Sequence, residues 1–150
     1  MSSPVTEDDN AATRRAAAFQ RIRDAHQTEV AEDYVELIED LIASNGEARL
    51  VDVAEYMGVT HGTAAKVIQR LQREGLLHSR PYRSIFLTDS GRSMAADARR
   101  RHQVVMAFLL AIGVDERTAE ADSEGIEHHV SEETLAAFER FTRRSGGGTG

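Results

Sequence analysis

Cysteine is absent from the 150 residues. That absence excludes disulfide scaffolds, zinc ribbons, iron–sulfur sites and thiol catalysis together, and it accords with a reducing cytoplasm. No apolar run approaches the roughly 20 residues that a membrane span needs. The N-terminus, MSSPVTEDDN, has acids where a signal peptide would carry a positive patch. A cytoplasmic chain with no membrane partner is therefore expected. Basic residues are in short supply too: 18 Lys and Arg face 25 Asp and Glu, a net charge of -7. The remainder is ordinary. Charged residues at 29% and hydrophobic residues at 41% are those of a globular chain, long enough for one domain or two small ones sharing a core.

The deficit of bases is not uniform. Residues 1–59 hold 13 acids against 5 bases, and residues 102–150 hold 9 against 4. Residues 60–101 reverse the balance, with Glu74, Asp89 and Asp97 the only acids against 9 bases. One basic segment in an acidic chain marks a local electrostatic footprint of the kind that meets nucleic acid, with a separate acidic function elsewhere.

Apolar spacing gives the elements around that segment. Residues 1–27 contain the helix-prone AATRRAAAFQRIRDA but few apolar positions, and are expected to form a flexible arm. Tyr34, Leu37, Ile38, Leu41 and Ile42 recur at helical spacing until Asn45-Gly46. A second helix runs from about Leu50 to Tyr56, and Gly58-Val59-Thr60 is a tight turn. Thr60 caps a third helix, with Ala64, Val67, Ile68 and Leu71 inward and Gly75 at its end. The extended runs LLHSR and SIFLT then form a β-hairpin around Pro81-Tyr82-Arg83. Helix, short helix, turn, helix and hairpin make a winged helix-turn-helix over residues 28–90.

Beyond it the chain is helical again. A long helix from Ser90 to about Ile112 contains VVMAFLLAI, apolar nearly all round, so burial against a second copy is expected. Asp115 caps a helix running to about Val130. Ser131 caps a last one with Leu135, Phe138 and Phe141 on one face. The predicted fold is thus mainly α: a DNA-binding domain, a helical module over 91–144 and a disordered tail over 145–150.

Two sets of side chains carry chemistry. The third helix offers Thr60, His61, Thr63, Lys66, Gln69 and Arg70 on its polar side; the short polar residues at its start suit base edges, while Lys66 and Arg70 suit phosphates. Arg80 and Arg83 at the hairpin tip would meet backbone or minor groove. The plain alternative is a solvated helix face and loop. Arg99-Arg100-Arg101 reads as solvent-facing or as intramolecular ion pairs.

The second set is acidic. In DSEGIEHH, Glu124, Glu127 and His128 stand at i, i+3 and i+4, so they project from one helical face. Carboxylates and imidazole bind divalent cations without thiolates. Asp33 and Glu36 form another i, i+3 pair bordering the first helix's apolar stripe, and His102 opens the greasy half of the long helix. His129 reads as an exposed neighbour.

With these residues in view, the run RRRHQVVMAFLLAIGVDERTAEADSEGIEHHVSEETL resembles the metal-binding and dimerisation region of the diphtheria-toxin-repressor family. DYVELIEDLIASNGEARLVDVAEYMGVTHGTAAKVIQRLQREGLL resembles the same family's DNA-binding half. The likeness spans about residues 30–141 and is closest to the manganese-responsive members, which lack the SH3-like domain of the iron-responsive ones. It implies paired metal sites: Glu36 and His102 in one, Asp33, Glu124 and His128 in the other, Glu127 bridging. Where iron-type relatives have Met and Cys, this chain has Asp33 and Glu124. The harder donor set suits Mn²⁺, two ions per subunit, with Fe²⁺, Zn²⁺ or Cd²⁺ as substitutes. The resemblance further implies a homodimer that binds double-stranded operator DNA and represses manganese-uptake genes when loaded. The rival readings are a winged-helix regulator that answers Fe²⁺ or a small organic effector, and a two-metal hydrolase.

Overall fold

The computed structural model describes residues 7–81 and 84–146. Among these residues six helices and one small hairpin follow in the order α1 (Glu7–Asn45), α2 (Leu50–Met57), α3 (His61–Arg73), β1 (Leu77–His78), β2 (Phe86–Leu87), α4 (Asp89–Ala111), α5 (Glu116–Ile126) and α6 (Glu132–Gly146). Among the described residues no helix is long and apolar enough to cross a membrane.

The first half closes around one apolar cluster. Tyr34, Val35, Ile38 and Leu41 of α1 meet Val53 of α2, Ile68 and Leu71 of α3, Leu77 and Leu87 of the hairpin, and Ala95 of α4. The connections follow from local chemistry. α2 ends at Gly58, whose φ of +67° lies in the left-handed region that glycine enters freely. Thr60 Oγ1 accepts from the Thr63 amide at 3.1 Å and starts α3. β1 and β2 pair antiparallel, Leu77 opposite Leu87 and His78 opposite Phe86. Ile85 bridges back to Ala48, its amide donating to the Ala48 carbonyl at 2.8 Å. Thr88 caps α4, which begins so close to the hairpin that a Cβ on Gly91 would stand 2.0 Å from the Leu76 carbonyl oxygen.

α4 is the spine. Its first turns pack in the DNA-binding half, and its last turns build a second cluster of Val104, Val105 and Leu109 with Ala119 of α5 and Leu135 of α6. Phe108 stacks on Phe138 at 3.9 Å between centroids and meets Phe141 edge-on at 5.6 Å. Asp115 caps α5 as the sequence predicts, although α5 ends at Ile126 rather than near Val130. The greasy end of α4 is only half covered within one chain. Leu110 and Ile112 are exposed, as is Phe141 on α6.

The start of the first helix differs from expectation. No element boundary falls near residue 27, because α1 is one 39-residue helix from Glu7. Between Val5 and Asn45 there is neither glycine nor proline, and Ala, Arg, Gln and Glu are strong helix formers. Residues 10–24 of this projecting helix are almost wholly exposed, Phe19 and Ile22 included. At the other end Ser145 and Gly146, assigned from sequence to the tail, belong to α6.

Candidate metal centre and nucleic-acid interface

Asp33 and Glu36 alternate along α1 with buried Tyr34, Val35 and Ile38, so core packing fixes the backbone while the carboxylates lie at the core's edge, facing the second half. His102 sits mid-way along α4, Glu124 in the last turn of α5, and Glu127 and His128 directly after it. Five of the six expected ligands, Asp33, Glu36, His102, Glu124 and Glu127, line one cavity of about 240 Å³ with Leu37 and Asp40. His128 stands behind that wall. Its Nε2 is 3.1 Å from Asp33 Oδ1 and 3.3 Å from Glu127 Oε1. His102 Nδ1 is 2.6 Å from the other Glu127 oxygen, Oε2. One carboxylate thus touches both imidazoles.

Burial governs the electrostatics. Desolvation drives the Glu127 carboxyl up to about 7, against the opposing pull of His102 and His128. For His128 desolvation disfavours the charged ring, but hydrogen bonds to Asp33 and Glu32 and the nearby charges outweigh it, and the ring is pushed up to about 10. Glu36 is raised as well, by desolvation first, with Arg99 pulling it back. Carboxylates held this close in a half-enclosed space favour a counter-cation, and an oxygen-and-imidazole set without sulfur fits a hard to borderline divalent ion. The donor set therefore fits a metal of that class.

Several neighbours escaped the sequence reading. Glu32 Oε2 lies 2.6 Å from His128 Nδ1, on the ring's far side. Glu29 contributes a donor that, with one each from Asp33 and His128, forms a group within 4.8 Å. Glu29 also pairs with His129 Nε2 at 3.2 Å. The signal is in the sequence: Glu29, Glu32, Asp33 and Glu36 are spaced as one helical stripe. The arginine run is intramolecular. Arg99 pairs with Glu39 and, at 2.8 Å, with Asp40. Arg100 reaches Glu132 at 2.9 Å. Arg101 donates to the carbonyls of Glu127 (2.7 Å) and Val130 (2.6 Å), fixing the backbone that carries two ligands.

On the other face, His61, Thr63, Lys66 and Gln69 are exposed along α3. Thr60 is exposed but its hydroxyl is engaged in the cap, donating to Thr63 Oγ1 at 2.9 Å. Arg70 turns inward instead: its guanidinium donates to the Gln27 carbonyl of α1 at 3.2 Å and lies 3.5 Å from Glu74. Arg80 is exposed, and Arg83 lies outside the described residues.

Residues 26–85 match the family model described as iron dependent repressor, N-terminal DNA binding domain, and residues 88–144 match the iron dependent repressor, metal binding and dimerisation domain. The chain is 51% identical over 128 residues to the transcriptional regulator MntR of Escherichia coli O6:H1, covering 85% of this chain and 83% of that one. The chain belongs to the diphtheria-toxin-repressor family. Within it the chain is MntR-like: the HTH-type transcriptional regulator MntR of Bacillus subtilis strain 168 is 40% identical over 100 residues, 67% of this chain and 70% of that one. A solved structure of a manganese-dependent transcriptional repressor in complex with manganese superposes with a TM-score of 0.65 at 30% identity. It matches 77% of this chain, which spans about half of that longer chain, 52%. As a family member the protein is a metal-dependent, DNA-binding transcriptional repressor and not an enzyme.

Proposed function

We propose that this repressor senses Mn²⁺, two ions per subunit, at the junction of a DNA-binding domain (28–90) and a dimerisation domain (91–144), and that it acts in the cytoplasm as a homodimer on operator DNA of manganese-uptake genes. One observation carries the reading. Carboxylates of α1, the first helix of the DNA-binding half, converge with carboxylates and imidazoles of α4, α5 and the turn after it, as in the 3.1 Å approach of Asp33 to His128. Family resemblance and this convergence support Asp33, Glu36, His102, Glu124, Glu127 and His128 as the ligands. The exposed apolar side chains Leu110, Ile112 and Phe141 support a partner copy on the second half.

A bound divalent cation supplies positive charge to carboxylates that otherwise repel one another. The chain's residues do the rest. Asp33 and Glu36 pull on α1, which is continuous with the core that positions α3, while His102, Glu127 and His128 belong to the dimer-forming half. Holding the two sets together narrows the spacings open to the paired α3 helices. DNA accepts one spacing, about 34 Å between successive major-groove faces, so ordering raises the competent fraction. By linkage, operator DNA must tighten metal binding by the same factor. His61, Thr63, Lys66 and Gln69 face the groove, and Arg80 reaches its edge. Arg70, drawn toward α1, acts as a brace between α1 and α3 instead of a phosphate contact.

A Mn²⁺ titration of chelator-stripped protein, with paramagnetic resonance and an operator-binding assay at each point, tests this. About two spin-coupled ions per subunit and DNA binding that rises with their uptake are expected. DNA binding indifferent to Mn²⁺ would overturn the proposal.

A further inference from the structure

His128 is almost completely enclosed, its side chain 1% exposed, and both ring nitrogens have carboxylate partners. Nε2 faces the ligand set, between Asp33 and Glu127. Nδ1 faces away from it, 2.6 Å from Glu32 Oε2, and the Glu32 side chain is itself only 12% exposed. Glu32 takes no part in lining the cavity. An imidazole ligates a cation through one nitrogen, and the hydrogen bond at the other nitrogen decides which one that is and how the ring stands. Glu32 and Asp33 are consecutive on α1, so a single turn of helix holds the two nitrogens of one ring from opposite sides.

We propose that Glu32 is a positioning residue for metal uptake. Its carboxylate accepts the Nδ1 hydrogen of His128, leaves Nε2 as the only nitrogen offered to the cation, and makes that nitrogen a stronger donor without touching the ion. The inference rests on reading the junction as a metal centre. Two features set it apart from an incidental surface ion pair. Both groups are enclosed, so water does not compete for the contact. The contact also spans the two halves of the molecule, joining α1 to the segment after α5. Glu32 therefore couples the orientation of a ligand to the position of α1.

The test uses the full chain with Glu32→Ala and Glu32→Gln beside the unaltered protein. Mn²⁺ affinity is read by chelator competition, and the His128 ring by ¹⁵N–¹H correlation on the diamagnetic Cd²⁺-loaded form. The unaltered protein is expected to show a slowly exchanging Nδ1 proton and a metal-bound Nε2. Glu32→Ala is expected to lose about 10- to 100-fold in Mn²⁺ affinity together with the protected Nδ1 proton. Glu32→Gln still offers an acceptor oxygen, so it should keep the proton and fall between the two in affinity. Mn²⁺ affinity within about twofold of the unaltered protein in Glu32→Ala, or a protected Nδ1 proton that survives there, would overturn the proposal. Should Glu32→Ala fail to fold, unchanged affinity and an unchanged Nε2 shift in Glu32→Gln would overturn it instead. Failure of the unaltered protein to bind either Mn²⁺ or Cd²⁺ would overturn the metal-centre reading, and is thereby told apart from failure of the role given to Glu32.

Discussion

Among the described residues of the DNA-binding half, fourteen buried apolar ones drawn from α1, α2, α3, the hairpin, their connecting segments and the start of α4 close a single cluster. Past His102 the corresponding cluster has five, and large apolar side chains at the end of α4 and on α6 stay exposed. The first half holds itself together by burial within the chain. The second half buries less apolar surface of its own, leaves Leu110, Ile112 and Phe141 exposed, and meets α1 through a polar junction. Rigid reader and dependent sensor are a useful division, because a signal that acts on the weaker half can reposition the stronger one without unfolding it.

Removing a junction ligand should give the largest effect. Glu127→Ala takes away a carboxylate that contacts both His102 and His128. Mn²⁺-dependent operator affinity is expected to fall by more than about 100-fold, since losses in the surrounding shell alone reach that. Fluorescence anisotropy with and without Mn²⁺ measures it, and an unaltered metal response would break the division. Ile38→Ala strikes the other half instead. Ile38 is fully buried, and its truncation should cost about 2–5 kcal/mol by denaturant unfolding, with or without metal. Loss of that size from Leu135→Ala at low protein concentration but not at high would sharpen the contrast, since mass action stabilises a half completed by a partner. Ile112→Glu, at a half-exposed position, should weaken self-association in sedimentation while leaving the secondary structure of the first half intact.

The pH dependence separates the halves more gently. Glu127 and His128 both bind their protons more tightly in the folded metal-free chain than in the unfolded one. Their stabilising contribution is complete below the unfolded values. It is lost as pH rises from 4.5 through about 7 for Glu127, and from 6.5 through about 10 for His128. The melting temperature of stripped protein should therefore drift down between about pH 5 and pH 9, while Mn²⁺ affinity climbs because ligands must shed protons. Calorimetry and chelator competition across that range read the two trends, and parallel trends would refute the account. The smallest effect belongs to Thr60→Ala, which removes the α3 cap and should cost about 0.5–2 kcal/mol with no change in metal affinity.

Much of this is legible in the sequence. Periodic apolar residues such as Tyr34, Ile38 and Leu41, the glycines at 46, 58 and 75, and caps at Thr60, Asp115 and Ser131 fix their elements through interactions a few residues long. The i, i+3 spacing of Asp33 with Glu36 likewise announces an acidic face, whereas α5 stops at Ile126, so Glu127 and His128 come from the turn after it and not from one helical face with Glu124. The start of α1 was misplaced because exposed Ala and Arg residues give a helix no amphipathic mark, even though they propagate it well.

Which partners those faces meet was decided elsewhere. That Arg70 turns to Gln27, that Arg101 grips the Glu127 and Val130 carbonyls, and that Glu32 rather than a neighbour meets His128 Nδ1 depend on residues 26 to 96 positions apart. Local spacing orients a side chain about its own helix axis. It says nothing about the angle and offset at which another helix arrives, because those are set by how the two apolar clusters pack on α4. By itself the sequence determined the elements, their caps and the chemistry of the donor set. The tertiary structure alone decided which carboxylate faces which nitrogen.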